Sequence, residues 1–104
     1  MSEPRLLVTR NDDTRRYELR ADDELVGYAD VVTPRSTPDA ASGRVVTVPH
    51  VETVARHRGK GYAALLMSGI VDDLRSRGQR IDPVCSYARA YIDDRPELHD
   101  LLRD

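Results

Sequence analysis

The chain has 104 residues and a mass of 11.7 kDa, which is enough for one compact domain and too little for separate cofactor and substrate domains. Its formal net charge is −2 and its pI is about 5.9, so it lacks the clustered positive charge that binding to nucleic acid or an anionic membrane requires. We therefore expect a single domain over residues 1–104, with neither nucleic acid nor a membrane as a partner.

The cysteine content and the amino terminus predict where the protein works. Cys85 is the single cysteine, so an intramolecular disulfide cannot form, and a reducing compartment is favoured. The amino terminus has no apolar run of signal-peptide length, and no segment approaches the roughly 20 apolar residues of a membrane span. We expect a cytoplasmic protein that is a monomer or a weak homodimer.

The first part of the chain has the pattern of short strands. Residues 5–9 and 15–20 are β-prone runs separated by the turn-forming sequence RNDD, and residues 25–32 alternate as a third strand. Residues 33–43 are rich in Pro, Ser, Asp and Gly, which predicts an exposed loop.

Residues 44–55, RVVTVPHVETVA, have the strongest strand composition in the chain. Pro49 interrupts this run and has no N–H for the ladder. Proline within a strand indicates an edge or a β-bulge, so we expect irregular pairing at this point.

The remainder predicts two helical regions around one more strand. Apolar residues recur at spacings of three and four between Gly61 and Arg77, and Gly78 is placed to stop that amphipathic helix. Residues 79–84 can form a short strand, and the rest of the chain is helical in two pieces broken at Arg95 and Pro96. The order β-β-β-β-α-β-α predicts an α/β (α+β) domain with a mixed, mainly antiparallel sheet of about five strands and two main helices.

The turn between the fourth strand and the first helix is the strongest functional signal. Gly59 and Gly61 remove side chains at a helix start, where exposed backbone N–H groups bind phosphate. Arg56, Arg58 and Lys60 add positive charge that suits a pyrophosphate. The alternative interpretation is a helix start that needs glycine for tight packing, flanked by solvated arginines.

Two known phosphate loops can be compared with this turn. A Walker A loop requires Lys and Ser or Thr after its last glycine, and Tyr62 stands there instead, so that motif is excluded. The dinucleotide fingerprint G-x-G-x-x-[GA] is matched by Gly59, Gly61 and Ala64, with Asp82 near the place of a ribose-binding acid. That fingerprint belongs near the start of a larger doubly wound sheet, so a nicotinamide dinucleotide binder is the weaker alternative.

The same residues resemble the GNAT superfamily of N-acetyltransferases. The sequence RHRGKGYA, residues 56–63, fits the [QR]-x-x-G-x-[GA] signature of that superfamily and follows a Val-rich fourth strand. His50, the RGKGYAALL block and the later DPVCSYARAYIDDRPEL resemble the short YjdJ-type branch, and the resemblance runs from about Arg44 to Leu98.

The resemblance implies that acetyl-CoA is the cosubstrate and that no metal takes part. The backbone amides of the turn would cradle its pyrophosphate, and the fourth strand would lie along its pantetheine arm beside a V-shaped opening to the fifth strand. The cofactor-binding residues implied are Val54, Arg56, Arg58, Gly59, Lys60, Gly61, Tyr62 and Ala63. Longer members continue into two further strands, so we expect the acceptor side here to be open or completed by a partner.

Acetyl transfer from a thioester to an amine needs a neutral amine, a polarised carbonyl and a proton for the departing thiolate. A strand N–H can polarise the carbonyl, and His50 is the best-placed group to take the amine proton. The alternative for His50 is a strand histidine satisfied by a backbone carbonyl. His57 flanks the phosphate turn, and His99 lies in a charged terminal segment.

Cys85 and Tyr87 complete the catalytic candidates. Cys85 is predicted to open the last main helix, where the dipole favours a thiolate, and the resemblance makes it a candidate acid, base or transient acetyl carrier. Tyr87 and Tyr91 are spaced four apart, so they share a helix face and either hydroxyl could reach the leaving sulfur. The alternatives are a small buried apolar residue for Cys85 and core packing for the tyrosines.

The predicted function is therefore acetyl-CoA-dependent N-acetyl transfer to an amine. The acidic balance favours a cationic acceptor, and a small molecule, a polyamine and a protein amine all remain open. The alternative from another class is a module that binds CoA or acetyl-CoA without turnover.

Overall fold

Five strands form one sheet over the residues that the computed structural model describes, 5–32 and 45–102. The strands are β1 (Leu6–Asn11), β2 (Arg16–Ala21), β3 (Glu24–Val32), β4 (Val45–Thr53) and β5 (Arg80–Pro83), and they lie in this order across the sheet. Neighbours pair antiparallel from β1 to β4, whereas β4 and β5 pair parallel. This confirms the predicted mixed, mainly antiparallel sheet. The loop predicted over residues 33–43 lies outside the described residues.

Short turns connect the first three strands. The side-chain oxygen of Asn11 accepts hydrogen bonds from the backbone N–H groups of Asp13 and Thr14, at 3.1 and 3.3 Å, which fixes the turn between β1 and β2. Only Asp22 and Asp23 connect β2 to β3, and their φ angles are 49° and 71°. Two positive φ angles match the twist that a two-residue hairpin requires.

Two α-helices and two 3₁₀ helices follow β4 and β5. They are a 3₁₀ helix at Ala55–His57, α1 (Tyr62–Ser76), α2 (Ser86–Asp93) and a 3₁₀ helix at Pro96–Leu101. Gly78 has a φ of 67° just beyond α1, where a left-handed residue closes a helix end, so the predicted stop is confirmed. The predicted break before Pro96 is also confirmed, since α2 ends at Asp93 and Pro96 begins the second 3₁₀ helix.

One face of the sheet carries the core. The hydroxyl of buried Tyr17 donates to the Asp73 carboxylate of α1 at 2.5 Å. A Cβ atom on Gly69 would lie only 2.6 Å from the Cβ of Val8, so this glycine allows α1 to approach β1 closely. Both α-helices contact each other and share one buried cluster, so they lie on the same face.

Pro49 lies at a β-bulge, as its sequence position predicts. Asp30 of β3 pairs with His50 of β4, whereas Val32 pairs with Thr47, so two residues of β4 stand opposite one residue of β3. Pro49 is one of the two, and the bulge spares its missing N–H from the ladder.

The parallel pairing between β4 and β5 stops at the same place. Its last pair is Val48 with Pro83, and the Val48 carbonyl then accepts the N–H groups of Val84 and Cys85, at 3.1 and 3.0 Å. β4 continues to Thr53 while the chain turns away into α2. Within the described residues, an unpaired strand edge therefore opens beyond Val48, in agreement with the expected V-shaped opening.

Candidate active site

The turn before α1 has the backbone geometry of an anion site. Gly59 and Gly61 have φ angles of 83° and 78°, in the left-handed region that favours glycine. Gly61 is the N-cap of α1, and the first helical hydrogen bond runs from the Leu65 N–H to the Gly61 carbonyl at 3.3 Å. The amides of residues 62–64 thus have no intrahelical partner, no side chain caps them, and no acidic residue lies in the first turn. Such amides attract anions.

Packing does not explain the two glycines of this turn. A Cβ atom built at Gly59 or at Gly61 would meet no atom of the described residues within 4 Å. Glycine is therefore required by the left-handed backbone and not by a close neighbour, and the packing interpretation of the sequence is wrong. The open space in front of the turn is available to a ligand.

Two carboxylates from the sheet neutralise the arginines of the turn. The Arg56 guanidinium forms an ion pair with Glu24, at the start of β3. Arg58 Nη2 donates to Glu52 Oε1, near the end of β4, at 3.1 Å. Lys60, within the described part of the chain, forms no ion pair. It is therefore the cation of the turn that is most directly available to a phosphate.

Glu24 also holds His57 in place. His57 Nε2 lies 2.7 Å from Glu24 Oε2. The hydrogen bond from His57, followed by that from Arg56, lowers the pKa of Glu24 from its ordinary value of 4.5. Nδ1 of His57 is buried without a hydrogen-bond partner among the described residues, and the imidazole centroid lies 6.0 Å from that of Tyr62. Glu24 thus ties the 3₁₀ helix that leads into the phosphate turn to the sheet.

His50 is exposed and has a carboxylate partner. Its side chain is 48% exposed, and Nε2 lies 2.9 Å from Glu52 Oε2. The predicted alternative of a histidine satisfied by a backbone carbonyl is therefore not what the structure shows. An imidazole paired with a carboxylate is held in one orientation and is suited to proton transfer.

The face of the sheet around His50 is polar. The strand register places Asp30 opposite His50, on the face away from α1. Arg16 Nε donates to Asp30 Oδ1 at 2.8 Å, and its guanidinium lies 4.1 Å from the ring centroid of Tyr28. The centroids of Tyr28 and His50 are 6.2 Å apart. The side chains of His50 and Glu52 on this face are 48% and 32% exposed, so a substrate can reach His50 from this side.

The free edge of β4 offers backbone groups next to His50. The Val54 N–H donates to the Val26 carbonyl at 2.9 Å, and the Val54 carbonyl accepts the His57 N–H at 2.8 Å. The backbone of Val54 is therefore occupied, which leaves its side chain for contact with a pantetheine arm. Since alternate residues of a strand direct their backbone groups to opposite sides, those of Val51 and Thr53 point to the unpaired edge.

Cys85 and Tyr87 lie at the start of α2. Cys85 is the N-cap of that helix. Its backbone N–H donates to the carbonyl of Val48, which lies in β4 two residues before His50. Tyr87 is 40% exposed, and partial burial raises the pKa of its hydroxyl, so it stays protonated at neutral pH. Tyr91 packs against the core, with the Arg95 guanidinium 3.7 Å from its ring centroid, so Tyr87 is the more accessible tyrosine.

The structure connects only some of the candidates. Hydrogen bonds join His50 to the phosphate turn through Glu52, whereas no hydrogen bond in the described residues joins His50 to the side chain of Cys85 or Tyr87. The sequence predictions missed Glu52 and Glu24. The period of two along a strand places Glu52 on the same face as His50 and could have identified it. No local sequence pattern identifies Glu24, because its partner Arg56 lies 32 residues later in the sequence.

A family model described as GCN5-related N-acetyltransferase (GNAT) matches residues 16–101, which include strands β2 to β5, the glycine turn and both α-helices. The chain belongs to this family. A dinucleotide fingerprint requires a parallel, doubly wound sheet and lies near the start of that sheet. In the described residues, β1 to β4 pair antiparallel and the glycine turn follows the fourth strand, so the fold does not match that fingerprint.

Solved structures show the same fold. A ribosomal-protein-alanine N-acetyltransferase from Brucella melitensis is 24% identical with a TM-score of 0.56, and the match covers 77% of this chain and 59% of that one. A GCN5-like protein from Staphylococcus aureus is 14% identical with a TM-score of 0.58, covering 99% of this chain and 91% of that one. N-acetylglutamate synthase from Neisseria gonorrhoeae, solved with coenzyme A and N-acetyl-glutamate, is 16% identical with a TM-score of 0.55. That match covers 86% of this chain and 22% of the synthase.

The GNAT chain thus spans 59% of the Brucella enzyme and a similar share of several other matched structures. No curated protein matches its sequence. None of the helices in the described residues is both long and apolar enough to span a membrane. Over those same ranges, no group of three or more His, Cys, Asp or Glu side chains could hold a metal ion.

Proposed function

We propose that this GNAT protein is an N-acetyltransferase that moves the acetyl group of acetyl-CoA to an amine. The observation that carries the proposal is the uncapped start of α1 behind two left-handed glycines, Gly59 and Gly61, with open space in front of them. Backbone amides with this arrangement suit a pyrophosphate. Membership of the acetyltransferase family supports an acetyl-CoA pyrophosphate as the ligand.

The turn and the edge of β4 would hold the cosubstrate. The amides of residues 59–63 and the ammonium of Lys60 would bind the pyrophosphate, whereas the Arg58 N–H already donates to the Ala55 carbonyl at 3.3 Å. The side chains of Arg56 and Arg58 would add charge where they exchange a carboxylate for a phosphate. The unpaired edge of β4, with Val54 at its end, would lie along the pantetheine arm. Matched proteins solved with acetyl-CoA, from Clostridium acetobutylicum, and with coenzyme A support this type of cosubstrate.

Three side chains, those of His50, Tyr87 and Cys85, are proposed for the proton transfers, and Glu52 orients the first of them. His50, paired with Glu52, takes a proton from the acceptor ammonium, and the freed amine attacks the thioester carbonyl carbon. A backbone N–H of the free β4 edge polarises the carbonyl. As the carbon–sulfur bond breaks, Tyr87 or Cys85 donates a proton to the sulfur, and the second proton released by the acetylated nitrogen returns to that donor through solvent. The raised pKa of Tyr87 keeps its hydroxyl protonated for this role.

The acceptor is proposed only as an amine, and a small molecule, a polyamine and a protein amine are the classes to test.

We also propose that the chain belongs to the short YjdJ-type branch. The P-x-C-x-Y sequence at Pro83–Tyr87 supports this. The cytoplasmic location and the oligomeric state, a monomer or a weak homodimer, remain predictions.

The direct test is acetyl-CoA consumption with a panel of amines, polyamines and basic peptides. We expect turnover with at least one class, and His50→Ala should lose most of it. His99→Ala is the matched control, because His99 lies in the second 3₁₀ helix and, among the described residues, its side chain hydrogen-bonds only to the backbone carbonyl of Asp93 at the end of α2. Binding of acetyl-CoA without turnover of any amine would support the binding module instead.

The route of the acetyl group can be tested at Cys85. Direct transfer predicts no stoichiometric acetylation when the protein is incubated with acetyl-CoA alone and its intact mass is measured. It also predicts that Cys85→Ala retains part of the turnover. A labile adduct on Cys85 that an amine discharges would show the two-step route through an acetyl-cysteine.

A further inference from the structure

One carboxylate joins the candidate base to the phosphate turn. Glu52 Oε2 lies 2.9 Å from His50 Nε2, and its other oxygen, Oε1, accepts from Arg58 Nη2 at 3.1 Å. The Glu52 side chain is 32% exposed, less than either partner. The two sites that the proposed function keeps apart, the proton acceptor and the pyrophosphate cradle, are therefore in contact through one residue.

A pyrophosphate would compete with Glu52 for Arg58. The Arg58 side chain is 65% exposed, and exposed ion pairs are weak. A phosphate group offers Arg58 bidentate, charge-assisted hydrogen bonds, which are stronger than an exposed pair. Arg58 directly precedes Gly59, so its backbone belongs to the same turn as the amides that would hold the phosphate.

We propose that pyrophosphate binding draws Arg58 away from Glu52 and thereby activates His50. A carboxylate stabilises a neighbouring imidazolium, and the positive charge of Arg58 on the same carboxylate opposes this effect. Once Arg58 has moved to the phosphate, Glu52 acts on His50 alone, and His50 takes the amine proton more readily. Glu52 is thus a positioning residue that makes the base more effective when the cosubstrate is bound. This inference rests on the proposed function.

The other described groups near His50 do not replace Glu52 in this role. Asp30 stands opposite His50 across the β3–β4 pair and is occupied by Arg16 at 2.8 Å. The nearest aromatic ring is that of Tyr28, 6.2 Å away between centroids, with the same Arg16 guanidinium over it. Glu52 is the carboxylate within hydrogen-bond distance of His50.

Nuclear magnetic resonance on ¹⁵N-labelled protein tests the proposal at one near-neutral pH. The backbone amides of Gly59 and Gly61 report binding of CoA, and the ring nitrogens of His50 report the state of the base. In the wild type, saturating CoA should shift both sets of signals. Inorganic pyrophosphate, which lacks the pantetheine arm, should give the same change at His50.

Three substitutions separate the steps. In Arg58→Gln, the His50 signals should resemble those of the wild-type complex before any ligand is added. In Glu52→Gln, CoA should shift the glycine amides and leave His50 unchanged. Arg56→Gln is the matched control, because Arg56 pairs with Glu24; it should weaken CoA binding while His50 still shifts at saturation.

Two results would overturn the inference while leaving the proposed function intact. One is a wild-type protein in which CoA moves the glycine amides but not His50. The other is a His50 shift of equal size in Glu52→Gln. Glycine amides that do not respond to CoA in the wild type would instead overturn the proposed function, and this inference with it.

Discussion

Gly61→Ala should weaken CoA binding far more than it weakens the fold. Gly61 has a φ of 78°, and an alanine in this left-handed region costs about 1–2 kcal/mol of stability. The added methyl group would meet no protein atom within 4 Å, so no packing cost is added. It would instead stand in front of the turn amides. Losing one charge-assisted backbone hydrogen bond costs about 1.5–3 kcal/mol, which raises Kd roughly ten- to a hundredfold.

Gly78→Ala is the matched control for backbone strain. Gly78 has a φ of 67° and lies at the opposite end of α1 from Gly61. Urea denaturation should show similar destabilisation for both variants, whereas calorimetry with CoA should show weaker binding only for Gly61→Ala. If the folded Gly61→Ala protein binds CoA as the wild type does, or if both variants lose the same affinity, the turn is not the pyrophosphate site.

Three further substitutions test the contacts that hold the site in place. Gly69→Ala puts a methyl group 2.6 Å from Val8, so overpacking of about 1–3 kcal/mol should outweigh the gain of about 1 kcal/mol in helix propensity; urea denaturation should show net destabilisation that shrinks in a Val8→Ala background, and net stabilisation would refute this. Tyr17→Phe removes the 2.5 Å hydrogen bond to Asp73 and should cost about 1.5 kcal/mol in the same assay, with no change as the contrary result. Glu24→Gln should lower the free energy of unfolding at neutral pH. Because the pKa of Glu24 is lowered in the fold, the difference in unfolding free energy between variant and wild type should vanish as the pH falls below 4.5 and through the folded pKa. A constant difference down to acidic pH would contradict the ion-pair role.

Local patterns in the sequence were enough to predict the order of the elements. The helix predicted over residues 61–77 is α1, Tyr62–Ser76, because apolar spacing and Gly78 are local signals. The β-bulge at Pro49 was predictable for the same reason, since a missing N–H constrains any strand.

The arrangement of charge in the site was not predictable. The sequence indicated a turn with three cations, but Arg56 and Arg58 are each paired with a carboxylate from the sheet. Glu24 reaches Arg56 because β3 and β4 are neighbours, and that contact depends on strand register and not on sequence distance. Lys60 is therefore the turn cation that the fold leaves for a phosphate, a distinction that requires tertiary structure.

The roles of the glycines and of Val54 also required the fold. Composition alone left open whether Gly59 and Gly61 serve packing or a ligand, and only the empty space around them decides against packing. The resemblance implied that Val54 lies along the pantetheine arm, but its N–H is used by the sheet. The free backbone groups are those of Val51 and Thr53, because strand alternation sets which edge each residue faces.

Isothermal calorimetry with acetyl-CoA, CoA and NAD tests the central claim most directly. We expect acetyl-CoA and CoA to bind at one site per chain, because the amides at the start of α1 would bind the pyrophosphate. The unpaired edge of β4 would bind the pantetheine arm, which NAD lacks. NAD should show no comparable binding. Binding of NAD alone, or of none of the three to folded protein, would contradict the account.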